Sequence, residues 1–176
     1  MDDISVIAAL VEHKPGVLFK VSNLFRRRGF NIENITVGPI ETSDLARMTI
    51  TVKGDEATRD QVVKQLRKLI EVVHVEVLKP ESLVQRELAL IKVKVDSPET
   101  RREIMDYTSI FRGRVVDVSP ESMIVEITGT PDKMDAFINL MLKYGIIEIA
   151  RTGVTALTRG KASITTSYPL MLELGE

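Results

Sequence analysis

An apolar run from Ile4 to Val11 has the composition of a β-strand. It hands over at His13-Lys14-Pro15-Gly16 to Val17, Val21, Leu24 and Phe25, which recur at the spacing of one helix face. Gly29, tolerant of positive φ, marks the end of that helix. Strand composition returns from Ile32 to Ile40, and Glu41-Thr42-Ser43-Asp44 has turn chemistry. Leu45 to Lys53 then sets Ala46, Met48, Ile50 and Val52 against Arg47, Thr49 and Thr51, which predicts a hairpin with one buried face. Helical spacing resumes from Glu56 to Ile70 through Val62, Val63, Leu66, Leu69 and Ile70, with Asp55 placed to cap it, and Val72 to Leu78 closes the series as a strand.

The same βαββαβ order repeats after the polar break Lys79 to Ser82. Glu87 to Val95 reads as a strand, and Ser97-Pro98 opens a helix that runs to Phe111. Val115 to Val118 pairs with Met123 to Thr128, Thr130-Pro131 opens a helix that Gly145 ends, and Ile146 to Ile149 is the last core strand. Such a unit is the ferredoxin-like split motif, four antiparallel strands with both helices on one face. The fold class expected is therefore α+β, as two tandem ferredoxin-like domains over residues 1–79 and 80–160. Residues 161–176 form a tail of unassigned structure. Each sheet leaves one face in need of cover, which predicts a homodimer.

Composition narrows the chemistry. The chain has 176 residues, no cysteine and two histidines, His13 and His74, far apart in sequence. Disulfides and thiolate metal sites are excluded, and a zinc site is disfavoured. A net charge of −1 gives no long-range pull on nucleic acid, no stretch approaches a membrane span, and the acidic start lacks a signal peptide's basic segment. The expected setting is cytoplasmic. No nucleophile elbow, dinucleotide loop, P-loop or paired-histidine metal motif is present, which lowers the expectation of an enzyme. Arg26-Arg27-Arg28, the densest basic run, reads as a solvated helix end that complements the dipole.

The stretch HKPGVL reads first as a turn between strand and helix, and it is also the best candidate for binding. A helix start presents unpaired amides, here those of Gly16, Val17 and Leu18, to an anion such as a carboxylate, and Gly16 lets a ligand approach without meeting a Cβ. Asn31, just beyond the same helix, offers a carboxamide to an ammonium group, and Val17, Ile32 and Ile35 could surround a short aliphatic side chain. The three together suit an α-amino acid.

The segments HKPGVLFKVSNLFRRRGFNIENITVG and ARMTITVKGDE resemble the N-terminal ACT domain of the acetohydroxyacid synthase small-subunit family. VQRELALIKVKV, FRGRVVDVSPES, ITGTPDKMDAFI and IIEIARTGVTALTRG resemble that family's C-terminal domain in the same order, so the resemblance spans about Ile4 to Gly160. It implies a chain without an active site or cofactor, which activates a separate catalytic large subunit and confers feedback inhibition by valine. Thiamine diphosphate, FAD and Mg would belong to that partner. The resemblance also places the effector at an ACT dimer interface, between the Pro-Gly loop of one chain and the Gly-Phe-Asn-Ile segment of the other. The corresponding residues here are Gly16, Val17, Leu18, Asn31 and Ile32, and His13 stands where many members have Asn. An amino-acid-responsive transcriptional regulator is the alternative, set behind because the first strand begins at once and leaves no helix-turn-helix ahead of it.

Overall fold

The computed structural model describes residues 3–41 and 44–164. Its elements are β1 (Asp3–Glu12), α1 (Val17–Arg28), β2 (Ile32–Pro39), β3 (Leu45–Gly54), α2 (Glu56–Leu66), β4 (Val72–Leu78), β5 (Leu83–Lys94), α3 (Pro98–Ile110), β6 (Arg114–Val118), β7 (Ser122–Gly129), α4 (Pro131–Leu142), β8 (Ile146–Arg151) and β9 (Thr155–Thr158). They form two compact units, one running to Val84 and resuming at Val154, the other Gln85–Gly153. Each has the βαββαβ order expected. The domain limits differ from those read in the sequence, because residues 80–84 and 154–160 group with the first unit.

In the first unit the strand order is β2-β3-β1-β4, with antiparallel pairing throughout. Ile7, Ala9 and Val11 of β1 meet Val21, Leu24 and Phe25 of α1 and Val62 and Leu66 of α2 in one core. Asp55 caps α2 as expected, its carboxylate accepting the Thr58 N–H at 2.8 Å. The helix ends at Leu66 rather than Ile70: Lys68 and Leu69 bond three residues back, tightening the chain toward β4, and Ile70 is 93% exposed. The turn expected over residues 41–44 lies partly outside the described residues.

Strand β3 of the hairpin departs from expectation in a more consequential way, since both of its faces are buried. Thr49 and Thr51, on the face opposite the helices, are each only 2% exposed. A second apolar cluster lies there, made by Val6, Ala8, Leu10 and Leu78 with Val154, Ala156 and Ile164. The segment 154–164 thus crosses the sheet's outer face. Asn34 Oδ1 accepts from the Val154 N–H at 3.1 Å, Thr36 Oγ1 donates to the Val154 carbonyl at 3.0 Å, and Arg47 Nη2 donates to the Ala156 carbonyl at 2.8 Å. The open face expected to require a second copy is therefore covered by the chain itself. Of the unassigned tail, residues 165–176 lie outside the described residues.

The second unit has the order β6-β7-β5-β8. Ala89, Ile91 and Val93 of β5 and Met123, Val125 and Ile127 of β7 pack on Ile104 of α3 and Met134, Phe137 and Met141 of α4. Ser97 caps α3 by accepting the Thr100 N–H at 3.1 Å, and Pro98 occupies the first helical turn, where its missing N–H costs nothing. The other face of this sheet carries Leu90 and the ion pairs Lys92–Glu148 and Arg114–Glu126.

Candidate functional site: the Pro-Gly loop and the start of strand β2

Gly16 caps α1 in the left-handed region, with φ +87°, and a Cβ added there would meet nothing within 4 Å. The loop is open on the side where that Cβ would stand. The first full helical bond is Lys20 N–H to the Gly16 carbonyl, at 3.0 Å. Val17 N–H already makes a long bond, 3.4 Å, to the Lys14 carbonyl. The amides of Leu18 and Phe19 therefore head the helix, and no side chain caps them. Phe19 was missed in the sequence; counting back from the first helical bond would have found it.

The side chains sort differently from the amides. Val17 is 4% exposed and sits in the core, so it cannot line a ligand site. Leu18 and Phe19 are exposed, by 46% and 71%. His13 is also exposed, with its backbone N–H bonded to the Asp44 carbonyl at 2.8 Å, and its ring is available beside the loop. Of the lysines around the loop, Lys14 pairs with Glu12 at 3.2 Å and Lys20 with Glu71. The Lys20 hydrogen bond is the main reason the Glu71 carboxyl titrates below the ordinary carboxylate range. Local charge is thus balanced, so that any pull on an anion at the loop would come from the helix amides.

Asn31 and Ile32 lie at the far end of α1. Gly29, at φ +69°, ends the helix, Phe30 N–H closes on the Phe25 carbonyl at 3.1 Å, and β2 begins at Ile32. A helix of 12 residues is about 18 Å long. A valine-sized ligand cannot bridge that distance, so one chain does not bring Gly16 and Asn31 into a common site. Asn31 is exposed, Nδ2 donating to the Glu33 carboxylate at 3.0 Å. A carboxylate only accepts, so this bond leaves the Asn31 carbonyl oxygen free to take an ammonium proton. Ile32 and Ile35 are half-buried against the core.

The basic run does more than cap its helix. Arg28 Nη2 donates to Gln65 Oε1 at 3.3 Å, and Arg27, Arg28, Leu24 and Gln65 line a shallow hollow between α1 and α2. Among the described residues no group of three or more His, Asp or Glu could hold a metal ion, and no helix is long and apolar enough to cross a membrane.

A βαββαβ unit with an open glycine loop at the head of its first helix, joined to a second unit of the same plan, defines a class: ACT-type regulatory proteins. Within it, residues 7–74 match the small-subunit ACT domain of acetohydroxyacid synthase, and residues 86–160 match the small subunit of acetolactate synthase, another name for the same enzyme. A protein from Methanothermobacter thermautotrophicus described as a probable acetolactate synthase small subunit is 55% identical over 162 residues, covering 92% of this chain and 96% of that one. The acetolactate synthase small subunit of Mycolicibacterium smegmatis is 48% identical over 158 residues, 90% of this chain and 92% of that one. The crystal structure of the Thermotoga maritima small subunit superposes with a TM-score of 0.85 at 50% identity, over 91% of this chain and 99% of that one. The chain belongs to the acetolactate synthase small-subunit family.

Proposed function

We propose that this chain pairs with a catalytic large subunit, raises its acetolactate-forming activity and makes it sensitive to valine. The observation that carries the reading is the uncapped, unobstructed amide pair at Leu18 and Phe19 in a chain that matches the small-subunit family along both units. Two copies join through their ACT units. The amides of one copy take the effector carboxylate, and Asn31 of the other takes its ammonium. Ile32 of that second copy offers apolar contact, and His13 lies beside the carboxylate. Thiamine diphosphate, FAD and Mg are the partner's, and the assembly works in the cytoplasm. Purified chain mixed with the large subunit and assayed for acetolactate from pyruvate, with and without valine, tests this directly. Stimulation that valine reverses is expected; no stimulation defeats the reading. Sedimentation should give a dimer at micromolar concentration, and a monomer there would remove the two-chain site.

A further inference from the structure

Strand β2 carries two sets of side chains with different duties. Ile32 at its start, with Asn31 just before it, belongs to the effector site proposed above, while Asn34 and Thr36 hold Val154 on the outer face of the sheet. Between them the ladder is irregular: Ile32 faces Val52 and Asn34 faces Thr51, so Glu33 is an extra residue. Such a bulge lets a strand turn locally while the rest of its pairing stays intact. Glu33 is also the residue to which the Asn31 carboxamide is bonded.

The covering segment is held from two sides: Asn34, Thr36 and Arg47 bond it to the sheet it covers, and β9 pairs with β5, the Arg159 N–H bonding the Ser82 carbonyl at 2.7 Å. Val154 and Ala156 point into the apolar cluster, whereas Thr155 faces solvent and Leu157 is 61% exposed. It also begins abruptly. Thr152 still belongs to the second unit, its N–H bonded to the Leu88 carbonyl at 3.0 Å, and two residues later Val154 is bonded to Asn34. The segment's bonds to β2 run through Asn34 and Thr36, and the population of an element docked in this way can be biased by a ligand that acts on β2.

We infer that Asn34 and Thr36 are positioning residues of the effector response: they dock residues 154–158 on the sheet, and the bulge at Glu33 ties that docking to occupancy of Asn31 and Ile32. This rests on the effector reading above. Effector binding favours the docked state, and by linkage the docked state favours effector binding. Neither Asn34 nor Thr36 touches the effector.

The test is calorimetric valine binding together with amide exchange over residues 154–158, on the full chain. Wild type should bind valine, and valine should slow exchange there roughly fivefold or more. Thr36→Val, nearly isosteric, and Asn34→Ala should each weaken valine binding by a similar factor, while Asn34→Asp, which keeps the acceptor, should restore it. Thr36→Val guards against misfolding, because Asn34→Ala also strands the Thr51 hydroxyl that donates to Asn34 at 3.2 Å. A wild-type chain that binds no valine overturns the effector reading and this inference together. Wild-type binding with unchanged exchange, or variants that bind like wild type, overturns the inference alone.

Discussion

Strands β1 and β5 hold the same central place in their sheets, yet they are written differently. Val6 to Val11 is apolar at every position, and β1 is buried on both faces. In β5 the buried Ala89, Ile91 and Val93 alternate with Leu88, Leu90, Lys92 and Lys94. One sheet has a cover of its own chain, and the other meets its outward residues with charge. An unbroken apolar strand signals burial on both sides, and alternation signals burial on one. The same split motif can thus be finished by a strap or left with a wet face.

The largest effect should come from the two cores. Phe25 packs edge-on to Phe30 at 6.0 Å between centroids, and Phe137 meets Phe111 at 5.2 Å. Truncating either to Ala should cost about 3–5 kcal/mol. The comparison is broken if the two losses are interchangeable: Phe25→Ala should abolish valine binding, whereas Phe137→Ala should lower the melting temperature and leave calorimetric binding by the first unit in place.

Next in size is Gly16→Asp. The new side chain has space, although φ +87° costs a non-glycine residue about 1 kcal/mol, and its charge would oppose the carboxylate of the proposed effector. Losing one charge-assisted hydrogen bond costs roughly 1.5–3 kcal/mol, at least about tenfold in affinity. Valine inhibition curves of the reconstituted enzyme should shift by that much while stimulation by the subunit persists. Gly16→Ala, which carries the backbone cost without the charge, should shift them less.

Arg47→Met should have a smaller effect than its burial suggests. Nε is buried with no partner, and burial pushes the guanidinium pKa down, with Glu76 offsetting part of this. The variant exchanges one bond to Ala156 for an apolar stem, so chemical denaturation should move by about 1 kcal/mol or less. A loss several times larger would mean that the covered face depends on the Arg47 guanidinium. Smallest of all is Glu148→Gln on the second sheet. Its pairing with Lys92 at 3.6 Å is largely exposed, so the change should fall below about 1 kcal/mol and vanish in high salt.

Much of this was legible in the sequence. Apolar spacing located both βαββαβ units, and Asp55, Ser97 and Gly29 announced their helix ends because capping is local chemistry. Contacts between distant segments were not legible. The alternation of β3 read as one buried face because threonine tolerates both water and burial, and nothing near Thr49 announces that residue 156 will lie above the sheet. The apolar run of β1 was the available signal. The effector residues were chosen by chemical type, and Asn31 was placed near Gly16 although the length of α1 separates them. Val17 was misassigned for a related reason: its amide is at the helix head, but its side chain falls on the apolar stripe.

The strap also sets an order of events in time. Its bonds join residues 118 and 120 positions apart, so the first unit to leave the ribosome is the last to be finished. At about 5–20 residues per second, Val6, Ala8 and Leu10 wait roughly 7–30 seconds for Val154 to be synthesised. During that interval a nascent chain displays an apolar sheet face, the kind of surface on which chaperones act. Expressing residues 1–79 alone would make the waiting state permanent.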